Sequence, residues 1–238
     1  SSGIYYDVNK HSDIETLLNM GPLKEKDPLR LKAEAGITMM QAGHLSKYYP
    51  LTLADDNLLE NYLDENKKHL VVIGQMEKDA SIKYGRGSKI TKGFISSNSK
   101  TVLAAAKKFP EHKILYRPHP DEIRSKGKIT LNFAAKTACE ILPLEIPLEA
   151  TLEIADTTVV RTSLVGLEAK INGVHSTVLN SPFYASWGVT DDYEVCERRK
   201  EKVDLETLFA RSYLDYPKYI HPGGDTPCDF FDVASYFI

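Results

Sequence analysis

Apolar residues change their spacing about a quarter of the way along the chain. In "DPLRLKAEAGITMMQAG" (27–43) and "TLADDNLLENYLDEN" (52–66) they recur at mixed intervals of three and four, which gathers them on one face of a helix. Ser12 followed by Glu15, just ahead of Leu17 and Leu18, has the form of a capping box and predicts a helix start there. No run in residues 1–66 has the continuous apolar character of a buried strand, so this part reads as a helical collar or linker. At "HLVVIGQ" (69–75) the texture switches to an unbroken apolar run, as a strand covered on both faces requires.

From there the two textures alternate. "SKTVLAAAKKF", "PLEATLEIA" and "SLVGLEAKING" read as helices; "HKILYRP", "TTVVRT" and "HSTVLN" read as strands, and "KITLNFAA" as one more strand. Strands alternating with helices predict β-α-β units, hence an α/β, Rossmann-like doubly wound parallel sheet over residues 67–238 preceded by the helical segment 1–66. The tail carries one more helix pattern, "DLETLFARSYL", and is expected to pack back across the core. In such sheets ligands sit outside the carboxyl ends of the strands.

Composition narrows the classes. The 238 residues suffice for a sizeable core without staples. A formal net charge of −3 gives no basic excess to argue for nucleic acid. The dense run Glu197, Arg198, Arg199, Lys200, Glu201, Lys202 reads as a solvated face or an anion-contacting patch. Three scattered cysteines, Cys139, Cys196 and Cys228, with no CxxC, point to neither a disulfide framework nor zinc, and fit a reducing cytoplasm. No apolar stretch approaches the ~20 residues of a membrane span. Walker, GxGxxG and HExxH patterns are absent from the sequence, and "GRGSKITKG" lacks the P-loop spacing.

The carboxyl-end rule collects candidates on one rim. Gln75 ends the first strand, with Asp79 and Ser81 in the loop beyond it; Arg117 and His119 end the next; Thr162 and Ser163 end a later one. Thr162 or Ser163 can cap the following helix, Gly166 permits close approach in its first turn, Gly173 suits a left-handed end, and Glu168 lies one turn in. Two readings stay open for this turn: a phosphate on the backbone amides with Glu168 on a ribose, or simple capping with Glu168 in solvent. Arg117 and His119 either neutralise a departing phosphate or brace a loop. Asp79 is a nucleophile, a base or a helix cap. "NSPFYASWGVTDD" (180–192) holds the single tryptophan, Trp187, with Phe183 and Tyr184. It is either a stacking loop for a sugar or base, or a plug over the core.

Five stretches in order, "VVIGQMEKDASIKYG", "YRPHPDE", "TSLVGLEAKINGV", "SPFYASWGVTDD" and "YPKYIHPGGDTPCDFFDV", resemble motifs of the capsular polysaccharide β-Kdo transferases of the KpsC type. "GIYYDVNKHSDIETLLN" and "HLSKYY" resemble the segment that precedes the family's nucleotide-binding half. The resemblance implies the C-terminal half of a GT-B fold and a retaining transfer of Kdo from CMP-Kdo to a glycolipid or oligosaccharide acceptor. No cofactor or metal is then expected, and the work is done at the cytoplasmic face of the inner membrane. By position it implies Asp79 and His119 as catalytic residues, with Gln75, Ser81, Arg117, Thr162, Ser163, Glu168, Tyr184 and Trp187 binding the nucleotide-sugar. The family's acidic pair followed by glycine and phenylalanine, from an upstream acceptor domain, has no counterpart here. That domain, or another chain, is therefore an expected partner. Ser186 stands where the family's aromatic loop has glycine. Another sugar-nucleotide or CDP-polyol transferase, and a non-catalytic nucleotide-binding module, are the alternatives.

Overall fold

The apolar run at 69–75 becomes the central strand. In the computed structural model, which describes residues 2–43, 45, 56–85, 97–127 and 129–238, six strands form one sheet. These are β1 (His69–Ile73), β2 (Lys113–Arg117), β3 (Glu140–Ile141), β4 (Thr157–Val160), β5 (His175–Val178) and β6 (Asp191–Asp192). Their order is β3-β2-β1-β4-β5-β6, and every pairing is parallel. The chain builds outward in one direction from β1 and then restarts on its other side with β4. This makes the sheet doubly wound and Rossmann-like, and it fixes the switch point between β1 and β4.

Side chains alternate across each strand, and the two faces have separate cores. Leu70, Val72, Ile114, Tyr116 and Val159 meet Val102, Ala105 and Ala135 of α5 (Asn98–Lys108) and α7 (Phe133–Thr137). Val71, Ile73, Leu115, Val160 and Val178 form the larger cluster. It includes residues of α1 (Asp13–Leu18), α2 (Pro28–Ala42), α8 (Leu148–Glu153), α9 (Val165–Ile171), α10 (Leu205–Phe209) and α11 (Phe230–Phe237). Short helices α3 (Asp56–Glu60), α4 (Ala80–Tyr84) and α6 (Pro120–Lys126) complete the set, with a small antiparallel hairpin of β7 (Tyr219–Ile220) and β8 (Pro227–Cys228).

Asp27 caps α2 by accepting from Leu29 N, with proline at the first helical position. Gly36 on α2 sits so close to the tail that a Cβ there would lie 2.7 Å from Phe209 Cε1. The tail thus does pack back across the core. Beyond α10 the helix runs on as a π-helical turn, Ala210–Asp215.

Three expectations are corrected. Ser12 precedes α1 but makes no side-chain cap. Its expected capping partner Glu15 is buried and pairs with Arg199 (Oε1–Nε 3.1 Å) and Arg198 (Oε1–Nη2 3.2 Å). The run 197–202 is accordingly not a wholly solvated face, since Arg199 is buried and also donates to the carbonyls of Pro182 and Ala185. "KITLNFAA" forms no strand among its described residues: Asn132 caps α7 by accepting from Ala135 N, and the sheet's third strand is the two-residue β3. The stretches 46–55 and 86–96, which hold most of "HLSKYY", the start of "TLADDNLLENYLDEN" and most of "GRGSKITKG", lie outside the described residues.

The Glu15 pair fastens the N-terminal segment to the chain beyond the sheet, and removing one partner strands a buried charge. Glu15→Ala is therefore expected to lower the unfolding free energy by about 3–5 kcal/mol. Urea denaturation measures it, and a loss below 1 kcal/mol would show that the pair is not a fastening.

Candidate functional site

Where β1 and β4 diverge at the switch point, Gln75 spans the gap. Its Nε2 donates to Thr162 Oγ1 (3.1 Å) and its Oε1 accepts from Thr162 N (3.0 Å). Its own backbone is held as well: the N–H donates to Asn98 Oδ1 (3.1 Å), and the carbonyl accepts from Asn98 Nδ2 (3.1 Å) and Arg161 Nη2 (3.2 Å). All of these groups are buried, so each bond is worth keeping and costly to break. Ser81 Oγ and Thr162 Oγ1 lie 3.0 Å apart and extend the polar floor toward α4.

Above that floor lies a cavity of about 570 Å³, the size of a small-molecule site. Of the ten residues expected from sequence, Gln75, Asp79, Ser81, His119, Thr162, Ser163, Glu168 and Tyr184 line it. Asp79 caps α4 by accepting from Ser81 N (2.7 Å). His119 caps α6: its Nδ1 accepts from Asp121 N (3.1 Å), which in the neutral ring leaves the proton on Nε2. The "PHPDE" stretch explains this placement. Pro120 starts α6, and Glu122 is buried, accepting from Tyr116 Oη (3.2 Å), Thr130 N (2.7 Å) and Thr130 Oγ1.

α9 begins at Val165 with Leu164 as its N-cap and no side-chain cap, so neither Thr162 nor Ser163 is the cap expected of them; Ser163 Oγ accepts from Val165 N at 3.3 Å. The close approach at Gly166 is made by the protein itself, because a Cβ there would lie 2.5 Å from Tyr184 Oη. Tyr184 Oη donates to the Ser163 carbonyl, so the aromatic loop buttresses the turn. Burial, then Asp192 and the nearby Glu168, hold the Tyr184 phenol well above its ordinary range. Burial with Glu168 also raises Tyr213. Glu168 is buried at the cavity wall rather than turned to solvent.

Two expected residues sit elsewhere. Arg117 is outside the lining: its Nη1 donates to the Ile146 carbonyl (2.6 Å) and Thr151 Oγ1 (3.0 Å). Strand alternation turns it away from the buried Tyr116 face, where it ties β2 to α8, and burial lowers its pKa to about 10. Trp187 is fully buried, its Nε1 donating to the Phe183 carbonyl (2.8 Å) beneath the Arg199 guanidinium. It is the plug rather than a stacking face. Ser186, at the family's glycine position, takes φ +71°, a strained value for a side-chain-bearing residue. Bonds from its N to Asp192 Oδ2 (2.7 Å) and to its Oγ from Cys196 N (3.0 Å) hold it there.

Sequence reasoning missed Tyr5, Tyr6, Ser212, Tyr213 and Tyr216, which also line the cavity. The paired tyrosines just ahead of α1 were the available signal. Among the described residues no cluster of His, Cys, Asp and Glu is placed to hold a metal ion, and no helix is long and apolar enough to cross a membrane.

A Rossmann-like α/β chain with a ligand-sized, hydroxyl- and carboxylate-bearing cavity at its switch point is thus the class defined by fold and site. The chain belongs to the capsule polysaccharide biosynthesis protein family, which it matches over residues 42–219. It is 34% identical over 220 residues to the lipopolysaccharide-processing protein LpsZ of Rhizobium meliloti, covering 92% of this chain and 48% of that protein. To the capsule polysaccharide modification protein LipA of Neisseria meningitidis serogroup B it is 31% identical over 222 residues, covering 92% and 29%. The chain therefore spans less than half the length of either relative. Two solved structures from Thermosulfurimonas dismutans share the fold. The KpsC β-Kdo 2,4 transferase superimposes with TM-score 0.81 at 27% identity, covering 99% of this chain and 70% of that one. The KpsC β-Kdo 2,7 transferase gives 0.76 at 29%, covering 98% and 69%.

Gln75 and Arg117 separate binding from bracing. Either Gln75→Ala or Arg117→Met should cost about 1–3 kcal/mol in urea denaturation, through stranded partners. Only Gln75→Ala should also weaken ligand binding by the folded protein. Equal ligand affinity loss in both variants would return Arg117 to the site.

Proposed function

We propose that this chain supplies the nucleotide-sugar-binding half of a glycosyltransferase that moves Kdo from CMP-Kdo to a glycolipid or oligosaccharide acceptor. The observation that carries the reading is the switch-point cavity lined by eight of the expected residues, in a chain whose fold matches two Kdo transferases. In this reading the CMP phosphate lies at the turn of Ser163 and Val165, the ribose hydroxyls meet Glu168, and the sugar rests over Gln75, Asp79 and Ser81. His119, with its Nε2 proton, donates to the phosphate as negative charge develops on it. No metal is needed for the departure of a nucleoside monophosphate stabilised in this way.

Retention of configuration requires two displacements or a same-face attack. In the first route the Asp79 carboxylate attacks the anomeric carbon, the bond from that carbon to the phosphate oxygen breaks, and its electron pair leaves with CMP. An acceptor hydroxyl then attacks the same carbon, losing its proton to a neighbouring base, and the carboxylate departs. Asp79 caps α4 through the amide of Ser81, which fixes its direction. In a GT-B enzyme the cleft closes between two domains, so the acceptor half and any association with the inner membrane's cytoplasmic face belong to a partner domain or chain.

Calorimetric titration with CMP, with UMP and ADP as controls, tests the nucleotide site. Selective binding of CMP is expected; equal binding of all three, or none, overturns the reading. In a complete enzyme, His119→Ala should slow transfer by about 10²-fold or more, the size of a lost electrostatic donor. Asp79→Ala should abolish transfer while CMP affinity is kept. Turnover retained by Asp79→Ala removes the covalent route.

A further inference from the structure

Of the aromatic loop's largest rings, Trp187 is buried outside the lining, and Tyr184, though part of the lining, is fully buried with its hydroxyl spent on the Ser163 carbonyl. The ring that stands at the cavity half in the open is Tyr5, 44% exposed. It is held edge to face by Phe183 (centroids 5.7 Å, 84°) and by Tyr6 (5.4 Å, 82°). Its backbone is not a loose arm. Val8 N donates to the Tyr84 carbonyl (3.0 Å), and the Val8 carbonyl accepts from Arg198 Nη2 (2.6 Å), so the segment is clamped three residues on. Packing thus fixes a half-exposed aromatic ring in the lining of the cavity.

The lining is chemically mixed. Ser81, Thr162 and Asp79 bring acceptors and donors to it, and Tyr5 brings a flat apolar ring. A pyranose has the matching mixture, with hydroxyls around its edge and C–H bonds on its face. The Tyr6 ring packs against Tyr84 (6.4 Å) and Val8 N donates to the Tyr84 carbonyl, which sets this segment along α4, the helix that Asp79 caps and whose first turn holds Ser81.

We propose that Tyr5, from the segment ahead of α1, is the sugar-stacking, specificity-determining residue of this cavity. The inference rests on the nucleotide-sugar reading above and adds to it the residue that recognises the sugar as distinct from the nucleotide. It makes the N-terminal segment part of the donor site. A sugar-free nucleotide gains nothing from Tyr5, whereas the sugar-bearing donor does.

The test is calorimetry on this chain with CMP and with freshly prepared CMP-Kdo, for the wild type and for Tyr5→Ala, Tyr5→Leu and Tyr5→Phe, each first shown by circular dichroism and urea denaturation to be folded. Tyr5→Ala and Tyr5→Leu should weaken CMP-Kdo binding about tenfold, as loss of an aromatic contact does, with CMP affinity unchanged within twofold. Tyr5→Phe should bind both as the wild type does. Unchanged CMP-Kdo affinity in Tyr5→Ala, equal loss for both ligands, or loss in Tyr5→Phe matching that in Tyr5→Ala overturns the role of Tyr5 while leaving the nucleotide site standing. Failure of the wild type to bind CMP overturns the nucleotide reading and this inference with it; wild-type binding of CMP without any gain from the sugar overturns this inference alone.

Discussion

The side-chain amide of Gln75, clasping the backbone and hydroxyl of Thr162, is the constraint on which the site depends. A doubly wound sheet opens where its two halves diverge, and an open switch point would leave buried N–H and C=O groups without partners. A primary amide solves this because it donates and accepts at once across the gap. Asn98 and Arg161 then hold the amide's own backbone. With the gap closed by polar groups rather than by apolar packing, the floor of the cavity is both rigid and able to bond a ligand. Ser81, Ser163 and Asp79 take their directions from this floor or from the helix starts beside it.

Both ends of the chain converge on the same place. The buried Glu15 with Arg198 and Arg199 ties the N-terminal segment to the stretch after the aromatic loop, and Arg199 also holds that loop's carbonyls. Phe209 and Phe230 pack edge to face (5.4 Å) against α2, while Tyr213 and Tyr216 reach the cavity wall. The site is thus a Rossmann rim finished by segments from outside the sheet, which is why its lining combines polar rim residues with aromatic rings.

β1 and β2 were legible because they are buried on both sides and leave apolar runs, and β4 and β5 because their short β-branched stretches, "TTVV" and "HSTV", alternate with helix patterns. The edge strands β3 and β6, two residues each, are too short to leave any periodic trace. The rim positions were legible for a topological reason, since parallel strands put their carboxyl ends together. Side-chain direction was not legible. Arg117 and Tyr116 are neighbours, yet alternation sends one to the carbonyl of Ile146 and the other to Glu122. Ser12 and Glu15 matched a local capping pattern, but Glu15 answers to an arginine 184 residues away, a partner no local pattern reveals. Trp187 had the chemistry of a stacking residue and the burial of a core one; composition cannot distinguish the two.

The most direct measurement of the central claim is a crystal structure of this chain grown with CMP. The account places the nucleotide in the cavity between the ends of β1 and β4, its phosphate at the Ser163 turn within reach of His119 and its ribose at Glu168. A nucleotide bound elsewhere, or in this cavity with its phosphate remote from both Ser163 and His119, would contradict it.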